Sequence, residues 1–376
     1  MTQIRASTLL AAVCLLIWLG LLGFGLWPFN FFPRNRVEWI PNGNGLHFDR
    51  YGQVYSVSPA KFNGNSTTQD NGSYSIEIWL DPWAKTYPEV SAILLIDNPA
   101  PRPDFAIMQS GPDLLVRGQF LDKNNKSSIH KLWMDDACRK GAPRFISFTS
   151  EPEGSALYLE GVLQKRYPLV LTSDGLSGRL LLGHPPTGHQ SWTGDIFAVA
   201  IYDRALIAVE VSQHYQDWQQ GRLADLMAEK GIVAFYPFDE RSGSVIHNRV
   251  GSAPALITPS RFRLLHPAIL SSNLEINLGG LQDIVVNILG FMPFGFFTYA
   301  YLRHVGRLGK VPSALIAIAL GGVTSLAIEL LQVFLPTRYS SLLDLIDNTL
   351  GTALGVIAFS RLAARKLWTE NKSYQA

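Results

Sequence analysis

Cysteine is scarce in this 376-residue chain: only Cys14 and Cys138 occur, and Cys14 lies inside a long apolar run. An intramolecular disulfide between them does not fit, and neither a disulfide framework nor a zinc-type spacing is present. Cys138 reads as a buried structural thiol, because no flanking pattern would activate it. Charge is scarce as well. Asp, Glu, Lys and Arg make up 16% of the residues, against roughly 25% in ordinary soluble domains. Basic residues (32) nearly balance acidic ones (30), and a net charge of +2 argues against a nucleic-acid partner.

What is abundant is apolar sequence, and it gathers at the two ends. Thr8 to Phe32 is almost uninterrupted and closes on Trp27, Phe29, Phe31 and Phe32. About 20 apolar residues cross the hydrocarbon core, and aromatics favour its interface. A cleaved signal peptide would have a shorter apolar stretch and an A-x-A-like site, which is absent, so an uncleaved anchor is expected. Three further spans are expected at Asp283–Leu302, Val311–Leu335 and Leu342–Leu362. Arg303, His304, Arg307 and Lys310 fill the first short loop, and Arg361, Arg365 and Lys366 follow the last span. The positive-inside rule puts both sets in the cytoplasm, with Arg5 in agreement and Arg34 and Arg36 weakly against. Both termini are then cytoplasmic, and everything between the first two spans is extracytoplasmic.

Residues 37–260 read differently. Tyr74–Leu80, Ser91–Ile96, Leu114–Phe120, Phe145–Phe148 and Ala156–Glu160 are short alternating or β-branched runs separated by turn residues, which predicts an antiparallel β-sandwich. The expected organisation is 1–36 (cytoplasmic end and first span), 37–260 (β-domain), 261–282 (linker), 283–366 (three spans) and 367–376 (cytoplasmic tail). Asp122-Lys123-Asn124-Asn125 is a weak metal candidate without an EF-hand pattern. Asp135-Asp136 and Asp239-Glu240 are adjacent, so in strands they would point to opposite faces and form no catalytic pair. Most of the region's tryptophans (Trp39, Trp79, Trp83, Trp133, Trp192 and Trp218) are expected in the core; an exposed one could stack on a sugar ring.

The motifs of this region resemble a LamG-type, concanavalin-like jelly roll. Ile76-Glu77-Ile78-Trp79-Leu80 is similar to that family's early core strand, and Leu157-Tyr158-Leu159-Glu160-Gly161 to its hairpin, with Glu where Asp is more usual. Leu181-Leu182-Gly183, Trp192 to Ile196 and Ala200 to Leu206 resemble its later strands and short helix. Val233 to Glu240 resembles a strand that usually opens such domains, here placed late. The resemblance implies a sheet face and loop rims suited to glycan or protein ligands.

The C-terminal spans carry polar residues that hydrocarbon penalises. Asp283 and Asn287 share a helical face, Glu329 and Gln332 end one span, Asp344, Asp347 and Asn348 begin the next, and Arg338 lies between. The topology above brings them to one side of the bilayer, where intramembrane charges are by default a functional hypothesis. Ser340 or Ser341 as a helix cap is the plainer explanation for Asp344 but not for Glu329. Gly351 and Gly355 form a GxxxG spacing and Gly321-Gly322 lies mid-span, so close helix packing is expected.

These residues resemble the VanZ-like membrane family: Asp283-x3-Asn287-x3-Phe291-x-Pro293-x-Gly295, then Ser325-x3-Glu329-x2-Gln332-x3-Pro336-x-Arg338-x5-Asp344-x2-Asp347-Asn348-x2-Gly351-x3-Gly355. Trp27-Pro28-Phe29-Asn30-Phe31 is similar to the family's opening segment, which makes the β-domain an insertion. The resemblance implies a multi-pass protein of the bacterial inner membrane, some relatives being linked to low-level resistance to teicoplanin-like glycopeptides. The expectation is a multi-domain membrane protein, a four-helix transmembrane bundle with an extracytoplasmic all-β jelly roll. Its partners would be the lipid bilayer and a cell-wall glycan or envelope protein. No cofactor is identified; a divalent cation held by Asp344, Asp347 and Glu329 is a candidate. A membrane enzyme acting on cell-wall lipid intermediates, and a solute or proton transporter, stand as alternatives.

Overall fold

The computed structural model describes residues 2–62, 73–83, 90–98, 105–139, 141–172, 176–185, 191–265, 268–272, 278–305 and 308–373. The chain divides into two compact units, Met1–Phe32 with Pro267–Ala376, and Pro33–His266. In chain order the elements begin with α1 (Thr2–Leu26), β1 (Val37–Trp39), β2 (Leu46–Phe48), β3 (Val54–Ser56), β4 (Ala60–Lys61), β5 (Tyr74–Pro82) and β6 (Ser91–Asp97). There follow β7 (Phe105–Ser110), β8 (Asp113–Leu121), β9 (Ser127–Met134), β10 (Arg144–Glu151), β11 (Gly154–Leu159), β12 (Val162–Tyr167) and β13 (Val170–Leu171). The rest are β14 (Ser177–Leu182), β15 (Gly194–Tyr202), α2 (Ala208–Gln219), α3 (Leu223–Leu226), β16 (Ile232–Tyr236), β17 (Val245–Ile246), β18 (Leu256–Ile257), α4 (Leu278–Val305), α5 (Lys310–Gln332) and α6 (Leu342–Ser373).

The β-unit is two antiparallel sheets. One runs β1-β2-β15-β5-β10-β11-β12, with β16 beside β15; the other runs β13-β8-β7-β6-β14-β3-β18-β17, with β4 on β14 and β9 on β8. All five strands expected from the alternation exist. Strand β5 is buried on both of its faces. Tyr74, Ile76, Ile78 and Leu80 enter the core between the sheets, and Trp79 joins a second core beneath α2 and α3. The strand's alternate polar residues, Ser75 and Glu77, are buried as well, on the face covered by α2. Val233 to Tyr236, which resembled an opening strand, pairs with β15 through Val199 and Tyr236.

Several expectations change in detail. Phe262 is buried, its N–H bonds Pro33 O, and its ring packs on Tyr51 and His184, so the β-unit takes in part of the segment expected as linker. Helix α4 already begins at Leu278, and α6 continues to Ser373 through most of the expected tail. Asp135-Asp136 and Asp239-Glu240 lie in turns and loops, so the opposite-face argument does not apply to them. Asp135 pairs with Lys165 and Asp136 with Arg139, while Asp239 and Glu240 both meet Arg249. The Asp122 carboxylate accepts the N–H groups of Lys126 and Asn124 in its own turn, which holds it below the usual carboxylate range. Cys138 is free and buried, and burial pushes its thiol up to about 12.

The other unit holds four helices long and apolar enough to cross a membrane: Ala6–Leu26, Gly280–Val305, Lys310–Gln332 and Leu342–Ala364. Their packing depends on missing side chains. A Cβ at Gly355 would sit 2.0 Å from Met292 O, one at Gly351 2.3 Å from Ile288 O, and one at Gly295 2.0 Å from Thr352 O. The GxxxG of α6 therefore lies directly on the α4 backbone one turn apart, the close approach that replaces the hydrophobic effect between helices in lipid.

Candidate functional site

The end of α1, the start of α4, the end of α5 and the start of α6 meet at one end of the bundle. Hydrogen bonds tie them together. Gln332 Nε2 donates to Gly25 O (2.8 Å), and Arg338 donates through Nε to Trp27 O (3.2 Å) and Nη2 to Phe24 O (3.3 Å). Arg338 thus caps the carbonyl end of α1, where the helix dipole favours a cation. Ser341 is the cap of α6: its Oγ accepts the Asp344 N–H at 3.3 Å. Its own N–H donates to Glu329 Oε2 at 2.7 Å. Glu329, which seemed misplaced near the end of its own helix, is held by the N-terminus of another. Sequence spacing within one helix could not reveal that.

Two cavities open here. The larger, about 570 Å³, is lined by Asp283, Gln332, Arg338 and Asp344 together with Ser271 and Tyr339. The smaller, about 330 Å³, is lined by Asn287, Glu329, Gln332, Arg338, Asp344 and Asn348. Its apolar walls come from Leu21, Phe24, Val286, Phe291 and Ile328. Asn287 hydrogen-bonds the Asp344 side chain. Asp347 is buried but lines neither cavity. Among the described residues no group of three or more His, Cys, Asp or Glu side chains is arranged to hold a metal ion. The residues singled out from the sequence, Asp347 excepted, therefore surround one pair of cavities.

The β-unit has its own groove, of about 750 Å³, between α2 and the outer face of the first sheet. Phe197, Tyr215 and Trp218 form its aromatic wall, with Arg144 and Glu160 beside them. Each is placed by a local device. The β15–β5 register shifts between Ile196 and Ala198, so Phe197 is the extra residue of a bulge and turns to the outer face. Glu160 and Gly161 both have positive φ (54° and 76°), the two-residue hairpin turn that sets Glu160 at the rim. Tyr215 and Trp218, three apart on α2, share a face. Arg144 Nη1 lies 3.8 Å from Glu160 Oε1, while its buried Nε has no partner among the described residues. Burial and the Glu160 carboxylate raise the pKa of the Tyr215 hydroxyl. Of these residues the sequence reading had marked only Trp218 and Glu160; the helical stripe Val211, Tyr215, Trp218 was the available signal. Trp79 and Trp192 are core residues, whereas Trp83 and Trp133 are exposed.

The same outer face carries a buried polar cluster. Glu77 is fully buried and accepts from Ser147 Oγ (3.3 Å) and Tyr202 OH (3.2 Å), with His214 Nδ1 at 3.0 Å. The Glu77 carboxylate is enclosed and reads as structural, while His214 Nε2 has no hydrogen-bond partner among the described residues and lies 3.7 Å from Glu229 Oε1.

Four membrane helices joined to an antiparallel β-sandwich define a multi-domain membrane protein. Residues 226–364 match the VanZ/LLP1 family and residues 56–212 the concanavalin A-like lectin/glucanases superfamily, so the chain unites a VanZ-like membrane region with a concanavalin-like domain. No curated protein matches the chain. Among solved structures, the botulinum neurotoxin serotype D ligand binding domain in complex with N-acetylneuraminic acid is 13% identical, with 48% of this chain and 44% of that one covered and a TM-score of 0.36. The Ruminococcus gnavus IT-sialidase CBM40 bound to alpha2,3 sialyllactose is also 13% identical, covering 44% of this chain and 100% of that one at a TM-score of 0.33. The chain spans less than half the length of the neurotoxin chains it matches.

Proposed function

We propose that this is a multi-pass protein of the bacterial inner membrane whose β-unit lies outside the cytoplasm and binds carbohydrate of the cell envelope. The observation that carries this reading is the groove beside α2. Aromatic faces at Phe197, Tyr215 and Trp218 suit the apolar faces of sugar rings, and Arg144, Glu160 and Asn44 suit their hydroxyls. The orientation rests on Arg303 and His304 in the last turn of α4, at the bundle end opposite the polar cavities. The β-unit lies in sequence between the end of α1 and the start of α4, the two helix ends farthest along their helices from those charges. Protection against teicoplanin-like glycopeptides is the finer function that fits a VanZ-like protein touching cell-wall glycan.

The test is binding of the full-length protein in nanodiscs to a glycan and peptidoglycan-fragment array. Trp218→Ala weakens the captured glycan about tenfold, the loss expected for one stacked aromatic. An array without a single ligand would end the carbohydrate reading. Cysteine introduced at Ser341 reacts with an impermeant label from outside the cell while one at Gly309 does not; the reverse pattern would invert the topology. A deletion strain with unchanged teicoplanin susceptibility removes the resistance role alone.

A further inference from the structure

Around the smaller cavity of the bundle Asn287 bonds Asp344 and the Ser341 N–H bonds Glu329, yet two amide oxygens are left over. Gln332 spends its Nε2 on Gly25 O, and its Oε1 has no partner among the described residues although the residue is only 7% exposed. Asn348 spends its Nδ2 on Ser325 Oγ (2.9 Å), and its Oδ1 is likewise unpartnered among the described residues in a residue 5% exposed. Both side chains line the cavity, beside the carboxylates of Glu329 and Asp344. The one cation there, Arg338, has turned Nε and Nη2 to the α1 carbonyls. Among the described residues it forms no ion pair with Glu329, Asp344 or Asp283. A buried acceptor without a donor destabilises the fold, so two of them at one cavity call for a donor from outside.

The shape of the site narrows the donor. A divalent cation draws oxygens to about 2.3–2.6 Å, and these acceptors are spread around a space of about 330 Å³ without a metal-type cluster. A hydroxyl would bring further acceptors with each donor, and a quaternary ammonium has no N–H at all. A primary ammonium has three donors, no acceptor and the sign the carboxylates require. Leu21, Phe24, Phe291 and Ile328, which line the same cavity, offer apolar surface to whatever carries it.

We infer that the end of the bundle binds a primary ammonium group on an amphipathic molecule, held among Glu329, Asp344, Gln332 and Asn348. An aminophospholipid headgroup and a free primary amine share that chemistry. The site is independent of the groove in the β-unit, and neither reading depends on the other.

Full-length protein in nanodiscs of phosphatidylcholine, with or without phosphatidylethanolamine, separates the sources. Lipid retained after transfer to detergent is counted by mass spectrometry, and the Tm is read in parallel. With a lipid source, phosphatidylethanolamine is retained about tenfold over phosphatidylcholine, a ratio in keeping with one charge-assisted hydrogen-bond set. With a soluble source, ethanolamine raises the Tm in phosphatidylcholine nanodiscs and tetramethylammonium does not. In either case Asp344→Asn, with its Tm in plain phosphatidylcholine read as the folding control, removes the effect. Equal retention of both lipids without an ethanolamine response overturns the inference. So does a response to tetramethylammonium as large as to ethanolamine, or an unchanged response in Asp344→Asn.

Discussion

Two buried carboxylates, one in each unit, are handled in opposite ways. In the β-unit the fully buried Glu77 is enclosed by donors from three other elements: Ser147 on β10, Tyr202 on β15 and His214 on α2. In the bundle Glu329 receives one backbone amide from Ser341, and its neighbours Gln332 and Asn348 each keep an idle oxygen at a cavity. A buried charge satisfied by its own fold is architecture, whereas acceptors left over beside a cavity are an opening for a ligand. The packing differs in the same sense. The β-unit fills its cores with Trp79, Trp192, Tyr74 and Phe148, while the bundle closes because Gly295, Gly351 and Gly355 have nothing to insert.

The comparison breaks most visibly at the glycines. Gly355→Val places side-chain atoms on the Met292 backbone, so α4 and α6 cannot close and the monodisperse peak in detergent size-exclusion chromatography disappears. Next in size is Glu77→Ala. It leaves His214 buried with its main partner gone and destabilises the β-unit by about 3–5 kcal/mol, read as a lower Tm. A smaller effect sharpens the contrast through pH. Burial alone would lower the His214 pKa; the Glu77 hydrogen bond and charge, with Glu229 and Glu210 beyond it, outweigh that and raise it. A folded pKa above the unfolded value of about 6.5 means the contribution is complete below that pH and fades as pH rises through the folded pKa. Thermal unfolding of the β-unit at rising pH shows that loss in the wild type, and His214→Gln flattens it.

Much of the fold was legible because its signals are periodic or compositional. The four apolar helices follow from the length of hydrocarbon they must cross, and β5, β6, β8, β10 and β11 from alternation between turn residues. The polar cluster was legible for a related reason: Asp283, Glu329 and Asp344 stand out against apolar helices. What escaped was anything that depends on a partner distant in sequence. Nothing local in β15 signals a bulge at Phe197, since the bulge exists only relative to the register of β5. The boundary near Phe262 was missed because its burial depends on Tyr51 and His184, far away along the chain.

The sequence by itself determined how many helices can cross the bilayer, that a sandwich lies between them, and which polar residues crowd one end of the bundle. Those follow from hydrophobicity and period, which act over a few neighbouring residues. Only the tertiary structure decided which of those polar groups are already satisfied. Arg338 donates its hydrogen bonds to the end of α1, Glu329 accepts one from the start of α6, and Gln332 and Asn348 keep oxygens that no described residue completes. A hydrogen bond is a matter of distance and angle between atoms hundreds of residues apart, and that is settled only when the helices pack.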